Sequence, residues 1–250
     1  MSASASGGSS SPSGWGLSRI LLVVGLIAAL IFIVGLWANL PAVELITKGI
    51  PVLCLIFWVF KLPRDRFANL IMVGLVFSLA GDLLLQVSKD LFVIGLLSFL
   101  VAHLFYIAVF LGVTRRASWV RLLPFAAWGI GAFLILQPYL GDMLPPVAGY
   151  IIVIEVMMWR AAALVGVPGK AQTFELAALL GAISFGLSDT LLAFNRFIWH
   201  DTLTLFNLQQ AAPFVGTLVM ILYWLGQWGI ALAASWKAKD HTRDTPASNE

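Results

Sequence analysis

Long apolar runs are the feature that most restricts the fold of this chain. Hydrophobic residues make up 60% of its 250 residues and charged residues only 11%, and the mean hydropathy is +0.96. Soluble globular domains carry about 25% charged residues. The composition therefore predicts an integral membrane protein. It also argues against nucleic-acid binding, because the net charge of +3 forms no basic stripe outside the loops.

The apolar runs predict an all-α bundle of about eight transmembrane helices. A helix needs about 20 apolar residues to cross a bilayer, and such stretches occur at 19–38, 43–60, 67–87, 90–112, 119–137, 146–166, 173–195 and 213–235. Their short connections predict antiparallel neighbours in one domain, 19–236. We expect the Ser- and Gly-rich segment 1–18 to be a disordered tail, and 237–250 to be a polar tail.

Loop charges predict the orientation of this bundle. In an eight-span arrangement the basic residues collect on one side, and a seven-span arrangement would mix them with the acidic loops. The positive-inside rule makes the basic side cytoplasmic, so both termini are predicted there. The residues on that side are Arg19, Lys61, Arg64, Arg66, Arg115, Arg116, Arg121, Lys170, Lys237, Lys239 and Arg243.

Two aspartates stand in matching phrases inside the apolar runs. Asp82 lies in the phrase GDLLL, and Asp189 lies in SDTLL. On insertion scales, a charged residue at the bilayer centre costs roughly 2.5–3.5 kcal/mol, so such groups usually face a bundle interior or a wet cavity. Both aspartates are predicted at similar depth in the outer half, in spans of the same direction. We expect them to form one shared site.

Other polar residues at membrane depth leave alternatives open. Glu44 and Lys48 share a helix face. They form a local ion pair, with Lys48 reaching the headgroups, or Lys48 faces the cavity to hold an anionic headgroup or to modulate the carboxylates. His103 and Tyr106 also share a face, as interhelical hydrogen-bond partners or as site residues. Glu155 is central in its span, and a third buried acid is hard to explain structurally.

The remaining polar residues are more ordinary. Tyr150, Tyr223 and Gln227 are typical of hydrogen bonds between membrane helices, and Arg196, at the end of a span, is typical of a contact with lipid phosphate. The sequence has no Gly-x-Ser-x-Gly, Walker or His-Glu-x-x-His motif and no Cys/His cluster. Only one histidine, His103, lies in a span, which leaves an unlikely zinc shell. We therefore expect no metal and no cofactor.

Four of these segments together resemble the YhhN family of multi-pass membrane proteins, whose characterised members are lysoplasmalogenases. The stretch GAISFGLSDTLLAF at 181–194 closely resembles a family motif, and 77–85 resembles its first acidic motif. The His-x-x-Tyr pair at 103–106 and the YWLGQ segment at 223–227 resemble two further motifs. The order and spacing of these segments make the resemblance fairly specific.

The resemblance implies hydrolysis of a lysoplasmalogen, a 1-alkenyl-glycerophosphocholine or -ethanolamine. Cleavage of its vinyl ether bond gives a fatty aldehyde and a glycerophospho-alcohol. Protonation of the β-carbon forms an oxocarbenium ion, as in glycoside hydrolysis, and water then adds. Asp82 and Asp189 are the expected catalytic pair, one protonated and one anionic, without an assignment of the donor.

The resemblance also implies supporting residues. Lys48 or Arg196 would bind the phosphate, although the family often has Lys-Pro where this chain has Lys48 followed by Gly49. The other candidates would orient water, orient a carboxylate or bind substrate; they are His103, Tyr106, Glu155, Ser188, Tyr223 and Gln227.

The residues themselves leave a second class of function open. Buried Asp, Glu, His and Lys residues are also typical of proton-coupled transporters of small molecules or lipids. For the enzyme, the expected partners are a lysophospholipid substrate and membrane lipids, without nucleic acid. The expected location is a bacterial inner (cell) membrane.

Overall fold

The computed structural model describes residues 13–199 and 212–243, and within those ranges the regular structure is helical. Short 3₁₀ turns at Lys89–Leu91 and Gly141–Met143 precede the fifth and seventh helices, and a π-helical turn at Asn195–Trp199 follows the eighth. The helices are α1 (Ser13–Trp37), α2 (Pro41–Lys48), α3 (Ile50–Phe60), α4 (Arg66–Val87), α5 (Phe92–Val113), α6 (Trp119–Leu140), α7 (Leu144–Ala162), α8 (Gln172–Phe194) and α9 (Ala212–Arg243).

Seven stretches of the described residues are long and apolar enough to cross a membrane. One of them, Trp119–Ala162, has 44 residues, about twice the number that one crossing needs. It contains α6 and α7, which pack against each other where Gly129 meets Glu155, so it is a hairpin. The predicted all-α membrane fold is confirmed, and the expected number of about eight spans is close.

The second predicted span is divided into α2 and α3 at Gly49. Pro51, in the first turn of α3, has no N–H with which to continue the hydrogen bonding of α2. A Cβ atom on Gly49 would lie 2.7 Å from the Cδ1 atom of Leu79 on α4. The break therefore lets α2 approach α4 closely where Lys48, the last residue of α2, is buried.

Helices α8 and α9 cross at glycines. A Cβ atom on Gly181 would lie 2.8 Å from the backbone nitrogen of Ile230 and 2.9 Å from the carbonyl oxygen of Gly226. Small residues at such a crossing let two membrane helices approach along their backbones. The hydroxyl group of Ser188 adds a hydrogen bond of 3.0 Å to the carbonyl oxygen of Val219. This contact fixes the helix that carries Asp189 against α9.

The ends of the chain differ in detail from the predicted tails. Helix α1 begins at Ser13, so residues 13–18, expected to be disordered, are helical. A formed helix extends readily, because each added residue gains a hydrogen bond. At the other end, α9 continues to Arg243, inside the predicted polar tail. Residues 1–12 and 244–250 of the two predicted tails lie outside the described residues.

Charged side chains, of which Arg160 and Glu175 are buried, hold the connections at the basic end of the bundle. Arg121 donates to two backbone carbonyls at the end of α7, at 2.8 and 2.7 Å, and Arg160 donates to two in the 114–116 loop. Glu175 accepts the backbone N–H groups of residues 166 and 167, at 2.8 and 3.1 Å. These charges satisfy helix ends and loops, and they lie away from the two aspartates.

Candidate active site

The two aspartates occupy equivalent places in their helices. Asp82 lies five residues before the end of α4 at Val87, and Asp189 lies five residues before the end of α8 at Phe194. Phe99 contacts Gly81, next to Asp82, and packs against Phe185, whose ring also contacts His103 beside Asp189. The two aspartates are 107 positions apart along the chain. Helices α4 and α8 therefore bring both acids to one region of the bundle.

Asp82 has a cation as its nearest polar partner. The Nζ atom of Lys48 lies 3.7 Å from its Oδ1 atom, and the two side chains are only 11% and 4% exposed, respectively. Among the described residues, Lys48 makes this ion pair and none with Glu44. Lys48 therefore faces the carboxyl group of Asp82 instead of the headgroups, and it does not line the cavity that reaches Asp189.

Asp189 is held from the opposite side by Tyr150 and His103. The hydroxyl group of Tyr150 donates a hydrogen bond to its Oδ2 atom. The Nε2 atom of His103 lies 3.9 Å from the same oxygen, which is beyond hydrogen-bond length. The fully buried imidazole ring packs edge-on against Tyr150 and Phe185, with ring centroids 5.4 and 4.6 Å apart.

A layer of buried polar side chains lies beside Asp82. The hydroxyl group of Tyr106 donates a hydrogen bond of 2.8 Å to the Oε1 atom of Gln227. The hydroxyl group of Tyr223, one helical turn from Gln227 on α9, is buried and has no hydrogen-bond partner among the described residues. The Nε2 atom of Gln227 and the Oδ2 atom of Asp82 are also buried without a partner among the described residues, so this layer contains unused hydrogen-bonding groups.

A small cavity lies among the ends of α4 to α8, and Asp189 forms part of its wall. Its polar lining residues are Tyr150, Glu155, Asp189 and Thr190, whereas Asp82 does not line it. The rest of the wall is apolar and includes Leu85, Phe92, Leu96, Phe99, Leu136 and Phe197. The lining therefore suits an apolar part of a ligand with a polar group at Asp189.

Glu155 forms part of this cavity wall opposite α8. Its side chain is buried, and its Oε2 atom has no hydrogen-bond partner among the described residues. A Cβ atom on Gly129 would lie 2.6 Å from the Cγ atom of Glu155. The absence of a side chain at Gly129 thus leaves space for the carboxyl group beside the cavity.

Two of the predicted residues lie apart from the carboxyl groups. Arg196 is in the π-helical turn, where its guanidinium group lies 5.0 Å from the ring centroid of Phe92, a cavity-lining residue. This places Arg196 near the cavity mouth. The hydroxyl group of Ser188 bonds to α9, as described above, and serves the packing of the two helices.

The sequence interpretation undervalued Tyr150. It was expected to be an ordinary hydrogen bond between helices, yet its partner is Asp189 and it lines the cavity. The signal that could have found it is its depth. Tyr150 lies six residues into α7 from the end at which α4 and α8 carry their aspartates.

Known proteins with similar sequences share most of this chain. The profile of the YhhN family matches residues 43–234. Lysoplasmalogenase TMEM86A of Homo sapiens is 33% identical over 87% of this chain and 90% of the relative. Lysoplasmalogenase TMEM86B of Homo sapiens is 32% identical over 76% of this chain and 74% of the relative.

A bacterial relative matches a shorter part of the chain. A lysoplasmalogenase of Mycobacterium tuberculosis is 29% identical over 54% of this chain and 53% of the relative. No solved structure matches significantly. The family match covers well over half of the chain, and it includes both aspartates, the lysine and the polar layer beside them. The chain therefore belongs to the YhhN family.

Proposed function

We propose that this protein is a lysoplasmalogenase that cleaves the vinyl ether bond of 1-alkenyl-glycerophosphocholine or -ethanolamine within the membrane. The observation that carries the proposal is a mainly apolar cavity with the carboxyl group of Asp189 in its wall. The alkenyl chain would occupy the apolar part, and the ether would reach the acid. The relatives named lysoplasmalogenase support the same activity.

Asp189 is the proton donor in this proposal. It lines the cavity, whereas Asp82 does not and is paired with Lys48. An adjacent cation favours the charged form of a carboxyl group, so Asp82 stays anionic. Asp189 transfers its proton to the β-carbon of the vinyl ether, and the positive charge moves to the α-carbon and the ether oxygen. The anion of Asp82 stabilises that oxocarbenium ion.

Water completes the reaction. A water molecule adds to the α-carbon and returns one proton to Asp189, which gives a hemiacetal and restores the acid. The hemiacetal then collapses: its carbon–oxygen bond to glycerol breaks, and its hydroxyl proton passes to the departing oxygen. The products are the aldehyde and the glycerophospho-alcohol. Glu155, on the opposite wall, orients the attacking water.

The surrounding residues hold the two acids in these roles. Tyr150 fixes the carboxyl group of Asp189 at the cavity wall by its hydrogen bond, and the buried His103 ring packs beside Tyr150. Lys48 pairs with Asp82, and the buried hydrogen bond from Tyr106 to Gln227 connects α5 to α9. Groups that are held in place before the reaction lower the barrier, because they need no reorganisation when charge develops.

The substrate phosphate binds Arg196, because Lys48 is occupied by Asp82 and does not line the cavity. We expect Arg196→Gln to raise the KM for the lysolipid several-fold with kcat nearly unchanged, the pattern of a contact made equally in ground and transition states. Arg64→Gln is the matched control, since Arg64 lies 4.4 Å from the Phe60 ring centroid at the opposite end of the bundle. Equal KM values for the two variants would contradict the assignment.

A substitution at Gly129 tests the role of Glu155. We expect Gly129→Ala to lower kcat about tenfold, because the new methyl group displaces the carboxyl group, and a misplacement of 1 Å can cost about 10²-fold. Gly131→Ala on the same helix is the control, since nothing lies within 4 Å of a Cβ atom there. Steady-state kinetics and melting temperatures separate this effect from unfolding. Equal kcat values in the two variants would exclude Glu155 from the reaction.

We also propose that both termini are cytoplasmic and that the protein lies in a bacterial inner (cell) membrane. The basic loops support this orientation by the positive-inside rule. The cavity then opens towards the outer leaflet. A reporter fused after Glu250 and found to be active only outside the cytoplasm would contradict it.

The direct test of the function uses the purified protein in detergent with a 1-alkenyl-lysophospholipid in heavy water. The proposal predicts release of a fatty aldehyde with one deuterium on the carbon next to the carbonyl group, since that carbon receives the proton. The matching 1-acyl lysolipid should give no aldehyde. A transporter would release no aldehyde from the 1-alkenyl lysolipid. It would instead show flux of the lipid in sealed vesicles.

A further inference from the structure

Two helices present paired polar residues to each other near the proposed site. Glu44 and Lys48 are four residues apart on α2, and Asp82 and Gln86 are four residues apart on α4, so each pair shares one helix face. The two helices run in opposite directions. Glu44 therefore meets Gln86, and Lys48 meets Asp82, one turn deeper in the bundle.

The contacts connect all four side chains. The Nε2 atom of Gln86 donates to the Oε2 atom of Glu44 at 3.2 Å. The Nζ atom of Lys48 donates to the Oε1 atom of Gln86 at 3.5 Å and lies 3.7 Å from the Oδ1 atom of Asp82. An ammonium group only donates and a carboxylate only accepts. Glu44 and Lys48 thus fix opposite ends of the Gln86 amide group in one orientation.

Lys48 needs such restraint. It is the last residue of α2, on a flexible stem, and α2 begins at the outer end of the bundle. A lysine in this position ordinarily extends its ammonium group towards the headgroups. The carbonyl group of Gln86 and the carboxyl group of Asp82 hold it inward instead. An outward Lys48 would leave the buried Asp82 without its counter-charge.

We propose that Gln86, oriented by Glu44, is a positioning residue that holds Lys48 against Asp82 and so maintains the anion beside Asp189. This inference rests on the proposed function. Gln86 and Lys48 do not line the cavity, so Gln86 acts through Lys48 without touching the substrate. Its loss affects the chemical step and leaves substrate binding intact.

A double-mutant cycle tests this role by measuring kcat and KM for Gln86→Leu, Lys48→Met and the double variant. We expect Gln86→Leu alone to lower kcat roughly tenfold to a hundredfold, the loss for one hydrogen bond to a charged group, with KM within about twofold. In the Lys48→Met background the same change should have no further effect, because the group that Gln86 positions is already gone. Gln137→Leu is the matched control and should leave kcat unchanged. Gln137 is exposed and lies near the end of α6, at the end of the bundle where α4 also ends.

The outcomes separate this proposal from the proposed function. A wild-type protein that releases no aldehyde contradicts the function itself. An active wild type in which Gln86→Leu has no effect, or lowers kcat by the same factor with and without Lys48, contradicts the positioning role alone. A conservative Gln86→Asn variant that retains more activity than Gln86→Leu would further support it, because a purely apolar packing role would favour leucine.

Discussion

We expect Asp189→Asn to lower aldehyde release by about 10²- to 10⁴-fold, the usual contribution of general acid catalysis. Asparagine has nearly the same size as aspartic acid, and its carbonyl oxygen can still accept the hydrogen bond from Tyr150. It has no acidic proton to give to the β-carbon. The measurement is the initial rate of aldehyde formation by purified protein, with a melting curve to establish that the variant is folded.

Asp142→Asn is the matched control for this prediction. Asp142 lies in the exposed 3₁₀ turn between α6 and α7, at the same end of the bundle. The same chemical change there should leave the rate within about twofold, as substitutions on an exposed surface usually change little. Full activity in Asp189→Asn would remove this residue from the mechanism.

Gly181→Leu should have the largest effect on the folded state. Its side chain would enter the backbone contact between α8 and α9, where a Cβ atom already lies 2.8 Å from the nitrogen of Ile230. Extra atoms in a packed core typically cost 1–3 kcal/mol, occasionally more, and backbone atoms cannot move aside as side chains do. We therefore expect a clearly lower melting temperature and yield of folded protein.

Activity should fall together with stability in Gly181→Leu. Helix α8 carries Asp189, and α9 carries Tyr223 and Gln227 beside Asp82, so separating the helices separates the two halves of the site. Gly112→Leu on α5 is the control, because nothing lies within 4 Å of a Cβ atom there. A melting temperature for Gly181→Leu equal to that control would show that the close crossing of α8 and α9 does not support the fold.

The helices were predictable because a membrane leaves few alternatives. Backbone groups in hydrocarbon must be bonded internally, so each apolar run of sufficient length forms a helix. The two aspartates were predictable as site candidates for the same reason, since a charge inside such a run needs a polar environment. Even the break between α2 and α3 follows from Gly49 and Pro51.

The sequence could not predict how each helix is rotated about its own axis. Asp82 and Asp189 stand in matching phrases, yet only Asp189 lines the cavity. That difference depends on which neighbours each helix faces, and those neighbours are distant in the chain. Tyr150 was undervalued and Gln86 was overlooked for the same reason, because their partners, Asp189 and Lys48, lie on other helices.

The partners of the buried charged residues at the basic end also could not be predicted from the apolar spans. Arg160 and Glu175 lie inside or next to predicted apolar runs, where they could equally have been site residues. Their partners are backbone groups of the adjoining loops. Such partners become visible only when the loop conformation is known, since every loop offers carbonyl and N–H groups.

The measurement that tests the pairing of the two acids most directly is the rate of aldehyde release by Asp82→Asn, Asp189→Asn and the variant with both changes. Residues that act as one catalytic unit give strongly non-additive losses. We predict a large loss in each single variant and no greater loss in the double variant than in the more damaged single one. Full activity in either single variant, or a double variant whose loss is the product of the two single losses, would contradict a shared site.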